Sequence, residues 1–175
     1  MSLIILSKQK KDISIQDLKL ICNLKDQKWN HGIKSQINWF KKNVKSKDIH
    51  NLLFIKKVLV GYVLLRERSC IKNENIKKFL LFDTLIIKEK YQNKGYAKIM
   101  MNFTNKMIRK KKMASFLICE KEMIRFYQKF DWFLLKNSSF KIMDHDFSSN
   151  GMAFNLKKYQ KNVIKKHLFE FFFSK

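Results

Sequence analysis

Residues 79–87 read Phe-Leu-Leu-Phe-Asp-Thr-Leu-Ile-Ile, apolar throughout but for Asp83 and Thr84. The run is far too short to cross a bilayer, and it lacks the in-out alternation of a strand with one wet face. Continuous apolar character over this length marks a strand covered on both faces, so the chain has to build a sheet with layers on either side. Just downstream, Gln92-Asn93-Lys94-Gly95-Tyr96-Ala97 puts one of only four glycines in 175 residues where the strand gives way to a helical pattern. A turn there can aim backbone N–H groups and the positive end of the next helix at an anion, and a residue without a side chain lets the backbone come close. The chemistry this favours is transfer from a phosphorylated carrier.

The rest of the chain alternates strand and helix patterns. Residues 3–7 read as a strand. Residues 14–27 carry Ile15, Leu18, Ile21, Cys22 and Leu24 at helical spacing behind a Ser14 cap, and residues 34–44 repeat the pattern with Ile37, Phe40 and Val44. Asn51 to Ile55 and Val58 to Leu65 flank Lys56-Lys57 as a hairpin. A helix over 95–113 carries Ile99, Met100, Phe103, Met107 and Ile108 on one stripe. A strand at 116–119, a short helix at 122–130 and closing strands at 132–135, 140–144 and 152–156 complete the order. The expected class is α/β (α+β), a single domain with a central mixed, mostly antiparallel sheet flanked by helices. No linker or repeat divides it.

Charge adds less than its size suggests. The net charge of +24 would ordinarily point to nucleic acid or an anionic membrane. Of the 38 basic residues, however, 34 are Lys and 4 are Arg, whereas bidentate recognition of phosphate and guanine favours Arg. Lys, Asn, Ile and Phe make up nearly half the chain while Pro is absent, the bias that A/T-rich codons write. The charge therefore reads as drift on solvated faces, with a subsidiary role in attracting an anionic cofactor. Cys22, Cys70 and Cys119 are odd in number and lack metal-ligand spacing, so a reduced, cytoplasmic protein without a metal is expected. Met1 to Leu6 meets charge by Lys8, too soon for a signal peptide.

Gln92-x-x-Gly95-x-Ala97 after a hydrophobic strand resembles the acyl-CoA signature of the GNAT N-acetyltransferase superfamily. The order of elements is similar to that family from about residue 3 to residue 156, so 1–156 is expected to be the GNAT domain. A second local match is Glu120 to Trp132, similar to the family's late helix with its aromatic-Tyr pair at Phe126-Tyr127. Asp131 replaces the usual helix-exit Gly, a change that a left-handed backbone tolerates. Glu120 stands where many relatives place an Asn, and Glu89 where they often place Pro or Asp. The resemblance implies acetyl-CoA as co-substrate, its pyrophosphate against Gln92, Asn93, Lys94, Gly95, Tyr96, Ala97 and Lys98, its thioester carbonyl against the backbone of Leu85, Ile86 and Ile87, and Glu120 nearby. It also implies Tyr127 as the acid that assists the leaving sulfur.

An alkylamine has a pKa of about 10.4, so only about one molecule in a thousand or so is unprotonated at pH 7, and attack requires a proton acceptor. Asp83, a carboxylate inside an apolar strand, is one candidate and a salt-bridged Asp its bland counterpart. His145, between Asp144 and Asp146, is another, with a surface turn as its bland counterpart. Water chains are a third route. Trp29 and His31, between the first two helices, fall where this fold builds its acceptor wall, and they serve equally as loop anchors. No acidic groove for a basic peptide can be read in so cationic a chain, so the expected acceptor is a small-molecule primary amine such as an amino sugar. A protein N-terminal or lysine acetyltransferase is the alternative enzyme, and a non-catalytic basic module for nucleic acid or membrane the alternative class. Residues 157–175, basic and aromatic, read as a helical extension that packs back on the domain, pairs a homodimer or meets an anionic membrane.

Overall fold

A computed structural model describes residues 2–72, 75–144, 149–156 and 168–174. In chain order the elements are β1 (Leu3–Gln9), α1 (Ile15–Asp26), α2 (Ile33–Asn43), β2 (Ile49–Ile55), β3 (Val58–Lys72), β4 (Asn75–Ile87), α3 (Tyr96–Lys110), β5 (Ser115–Cys119), α4 (Ile124–Gln128), β6 (Phe133–Leu134), β7 (Phe140–Ile142), β8 (Asn150–Phe154) and β9 (Phe169–Phe171). The class is the expected one: four helices and a sheet in which antiparallel pairings outnumber parallel ones. Two compact units emerge, Met1–Arg66 with Asp83–Thr104 and Glu67–Phe82 with Asn105–Lys175. β3, β4 and α3 contribute residues to both.

In the first unit β1, β2 and the start of β3 form an antiparallel meander, with Leu6 opposite Leu52 and Leu52 opposite Tyr62. The hairpin turns at Lys56 and Lys57, both with positive φ (47° and 67°), the backbone that a two-residue turn needs to match strand twist. α1 starts with a capping box: the Asp17 N–H donates to Ser14 Oγ at 3.0 Å, and the Ser14 N–H donates to Asp17 Oδ2 at 3.0 Å. Leu18, Ile21, Cys22 and Leu24 of α1 and Phe40 of α2 close over Leu52, Leu59, Tyr62, Leu64 and Ile86 as one core. These are the apolar positions that helical and strand spacing select.

The second unit is built around aromatic rings. Leu80 and Leu81 of β4 run parallel to Ser115 and Phe116 of β5, and β8 pairs antiparallel with both β5 and β6. Phe116 stacks on Phe171 at 4.0 Å between ring centroids and meets Phe140 at 5.4 Å. The approach is close enough that a Cβ on Gly151 would come within 2.6 Å of the Phe140 ring.

Three expectations need correction or extension. Residues 157–167 of the extension lie outside the described residues, but residues 169–171, expected within a helix, form β9, antiparallel to β3 and parallel to β7. Phe169, Phe171 and Phe173 recur every second residue, so an extended chain brings all three to one core, where a helix would splay them apart. β3 continues to Lys72 rather than ending near Leu65, because the inward position after Arg66 is Arg68, which periodicity counts as polar. Arg68 is 1% exposed, and its Nε donates to the Phe173 carbonyl at 2.8 Å and a guanidinium nitrogen to the Glu67 carbonyl at 2.7 Å. The α3 stripe is rotated by about one residue, burying Met100, Met101, Thr104, Asn105 and Ile108. Thr104 accepts from Asn51 Nδ2 at 3.1 Å in the first unit, and Asn105 accepts from the Trp132 indole at 3.1 Å in the second. Satisfied polar groups of this kind are buried at little cost.

Candidate functional site

The first unit holds a cleft of about 550 Å³ lined by Lys25, Trp29, His31, Ser35, Gln36, Trp39, Asp83 and Thr84. α1 supplies Lys25, the α1–α2 loop Trp29 and His31, α2 the residues from Ser35 to Trp39, and β4 Asp83 and Thr84. The loop is held in shape by its own polar groups. The Trp29 carbonyl accepts from the His31 N–H at 2.7 Å and from Gln36 Nε2 at 2.8 Å, while Asp26 Oδ1 accepts from the Gly32 N–H at 2.8 Å. The Trp29 backbone is thus the anchor, and its indole is left exposed toward the cleft.

Asp83 is both things the sequence allowed, an ion-paired carboxylate and a cleft residue. Its Oδ2 accepts from Arg66 at 2.7 Å, and Arg66 in turn donates to the Asn43 carbonyl at 3.3 Å and lies 5.4 Å from the Trp39 ring centroid. No described residue donates to Oδ1, so one carboxylate oxygen remains for whatever enters the cleft. Lys25 sits opposite in charge, its Nζ 3.9 Å from the centroid of Trp39 and 5.8 Å from that of Trp29. Burial pushes the Lys25 ammonium below its ordinary pKa, and the Asp83 charge pulls it part of the way back.

The same unit carries the glycine turn. Leu85, Ile86 and Ile87 end β4, and Gln92 Nε2 donates to the Ile87 carbonyl at 3.0 Å, tying the turn to the strand end. Asn93 has φ 58° and Gly95 φ 82°, and the Ile99 N–H closes the first helical bond on the Gly95 carbonyl at 3.2 Å. The N–H groups that open α3 therefore have no acceptor within the helix. A Cβ on Gly95 would meet nothing within 4 Å, so the space over the turn is open to a ligand. Lys94 and Lys98 are exposed there, with Tyr96 and Ala97 half-buried. The residues present fit an anionic group such as a pyrophosphate.

Tyr127 and Glu120 belong to the second unit. Tyr127 is buried among Phe82, Phe126 and Trp132, with centroids 6.1, 5.2 and 6.1 Å away. Burial, and after it the Cys119 thiol, raise its pKa well above the usual phenol value, so the hydroxyl keeps its proton at neutral pH. No described residue forms a hydrogen bond with that hydroxyl. Glu120 is exposed, and its carbonyl starts the turn into α4 by accepting from the Met123 N–H at 3.0 Å. Asp131 has φ 65°, the left-handed exit expected of the residue replacing Gly. His145 lies outside the described residues. Among the described residues, no group of three His, Cys, Asp or Glu is placed to hold a metal.

Sequence reasoning missed Lys25, Gln36, Trp39 and Arg66. Lys25 had a readable signal, since it falls four residues after Ile21 and seven after Leu18 on the buried stripe of α1. Arg66 had none, because its partner Asp83 is on another strand.

Residues 18–132 match the family described as "Acetyltransferase (GNAT) family". No curated protein matches the chain at a significant level. Among solved structures, the fold is shared with the Escherichia coli GNAT family N-acetyltransferase YhbS in complex with CoA, at TM-score 0.67 and 13% identity over 98% of this chain and 91% of that one. The PaiA N-acetyltransferase of Thermoplasma acidophilum, in complex with coenzyme A, aligns at TM-score 0.53 and 22% identity over 87% and 98% of the two chains. An aminoglycoside 6'-N-acetyltransferase complexed with coenzyme A aligns at TM-score 0.61 and 10% identity over 87% and 98%.

Proposed function

Because the chain belongs to the GNAT acetyltransferase family, we propose that it transfers an acetyl group from acetyl-CoA to the primary amine of a small molecule. The observation that carries this reading is the turn from Gln92 to Ala97, where positive-φ backbone at Asn93 and Gly95 opens α3 under clear space. That the neighbours aligned above include CoA complexes supports the choice of cofactor. Acetyl-CoA supplies an acyl group activated as a thioester.

Each residue group then has one task. The N–H groups from Asn93 to Lys98 hold the pyrophosphate, helped by the positive end of α3. Leu85 to Ile87 offer backbone donors to the thioester carbonyl, where negative charge grows during attack. Asp83 holds the acceptor's ammonium and takes its proton, directly or through water, which frees the nitrogen lone pair. The acceptor nitrogen forms the new C–N bond as the C–S bond breaks, and sulfur departs with the electron pair. Tyr127 donates a hydrogen bond to that sulfur. A phenol with a pKa above 10 gives up its proton to a thiolate of pKa about 8.5 only uphill, by about 2 kcal/mol or more, so donation rather than full transfer is its contribution. The second N–H proton leaves nitrogen as the amide forms and the thiolate takes one up through water, so the closed balance is one amide, one free thiol and one released proton per acetyl group.

Free-thiol release from acetyl-CoA in the presence of an amine panel reads this directly. Tyr127→Phe should lower kcat by about 100-fold, the scale of losing one hydrogen-bond donor to developing negative charge. It should leave the urea midpoint unchanged, because no described residue uses the hydroxyl. An unchanged kcat removes Tyr127 from the chemistry.

A further inference from the structure

Lys25 is the one lysine or arginine among the described residues lining the cleft, and its surroundings are unusual for a lysine. The residue is only 9% exposed, on the apolar stripe of α1 with Leu18 and Ile21. Its ammonium has three N–H donors, yet no described residue accepts a hydrogen bond from it and no carboxylate lies within 4.0 Å. The faces of Trp39 and Trp29 compensate part of the lost hydration by cation–π attraction. They offer no oxygen to the N–H groups, which are left facing the cleft for a ligand's acceptor. Asp83 presents the complementary vacancy in the same cleft, a carboxylate oxygen that no described residue fills.

A cleft with one unfilled cation, one unfilled anion and two indoles selects a ligand of matching pattern. We propose that the acceptor is an amine that also bears a carboxylate, an amino-acid-type molecule with a flat or apolar body. Its carboxylate is held by Lys25 Nζ, its amine by Asp83, and its body lies against Trp29 and Trp39. This rests on the transferase reading above and narrows it. A polycationic acceptor, for which the cleft would have to accommodate further positive charge beside Lys25, is disfavoured, and the carboxylate that satisfies Lys25 also fixes which nitrogen faces Asp83.

The test uses matched pairs on the full-length protein: L-amino acids against their decarboxylated amines, starting with L-phenylalanine and phenethylamine, with glucosamine 6-phosphate against glucosamine as the phosphate arm. Binding is followed by quenching of tryptophan fluorescence, since Trp29 and Trp39 line the cleft, and this needs no acetyl-CoA. At least one amino acid should bind tenfold or more tighter than its decarboxylated partner. Lys25→Met, which keeps the stem against Trp39, should erase that difference by weakening the amino acid without weakening the decarboxylated amine, and Lys25→Arg should retain it. The proposal is overturned if no amino acid outbinds its amine, if Lys25→Met weakens both members equally at an unchanged urea midpoint, or if glucosamine 6-phosphate outbinds every amino acid. Because acetyl-CoA is absent, failure of the transferase reading would appear separately, as no thermal shift with acetyl-CoA alone.

Discussion

His50 sets an acid limit on the stability of the first unit. Its side chain is fully buried, with Nδ1 2.7 Å from the Tyr62 hydroxyl, the ring 5.2 Å from Phe40, and no hydrogen-bond partner for Nε2. Burial, then the positive charges of Lys10 and Lys25, lower its pKa to about 4. An unfolded histidine has a pKa of about 6.5, so below that pH the unfolded chain binds a proton that the native protein refuses. Stability is therefore fully present above pH 6.5 and falls as pH drops through the window from 6.5 to 4. The linkage integral gives a loss of about 2 kcal/mol at pH 5 and about 3 kcal/mol at pH 4. Urea unfolding at pH 7, 5 and 4 measures it, with His50→Gln as the reference. Glutamine keeps an acceptor for Tyr62 and does not titrate, so the difference between the two pH profiles belongs to His50. Parallel profiles, or an imidazole that titrates near 6.5 by NMR in the folded protein, would refute the reasoning.

Two backbone predictions follow from local geometry. Asp131→Gly should raise stability by about 0.5–1 kcal/mol, because relief of the left-handed φ of 65° outweighs an exposed pair with Arg109 that is worth a few tenths; a lower urea midpoint would contradict this. Gly151→Ala should cost about 1–3 kcal/mol, since the new methyl meets the Phe140 ring at 2.6 Å and Phe116 at 3.0 Å. A neutral result would mean that the ring cluster yields more readily than its stacking suggests.

Local signals were legible where one short segment decides the outcome. Ser14 caps α1 because a hydroxyl three residues before Asp17 satisfies the helix start by itself, and the Lys56-Lys57 turn is fixed by the two apolar runs it joins. Asp131 was readable because few residues other than Gly, Asn and Asp accept its backbone. The glycine turn was readable for the same reason. What the sequence hid is held together across distance. Arg66 and Asp83 find each other between strands, Arg68 is buried with its Nε on the Phe173 carbonyl far along the chain, and Thr104 and Asn105 pass as polar surface until their partners are known. Lys25 hid in a different way, since in a chain with 34 lysines one more on a helix reads as a solvated charge. β9 was lost by weighing the lysines of the tail above the two-residue spacing of its phenylalanines.

The central claim, that the Gln92–Ala97 turn binds acetyl-CoA through its pyrophosphate, is tested most directly by thermal unfolding of the full-length chain. Acetyl-CoA should be compared with an acetyl thioester that lacks the nucleotide and its phosphates. At a hundredfold excess over Kd, ligand binding adds about 2.7 kcal/mol, a rise in Tm of roughly 5–10 °C for a chain of this size. The account predicts that rise with acetyl-CoA, none with the truncated thioester, and its loss in Gly95→Val, whose branched side chain resists φ 82°. No rise with acetyl-CoA, or an equal rise with the truncated thioester, would contradict it.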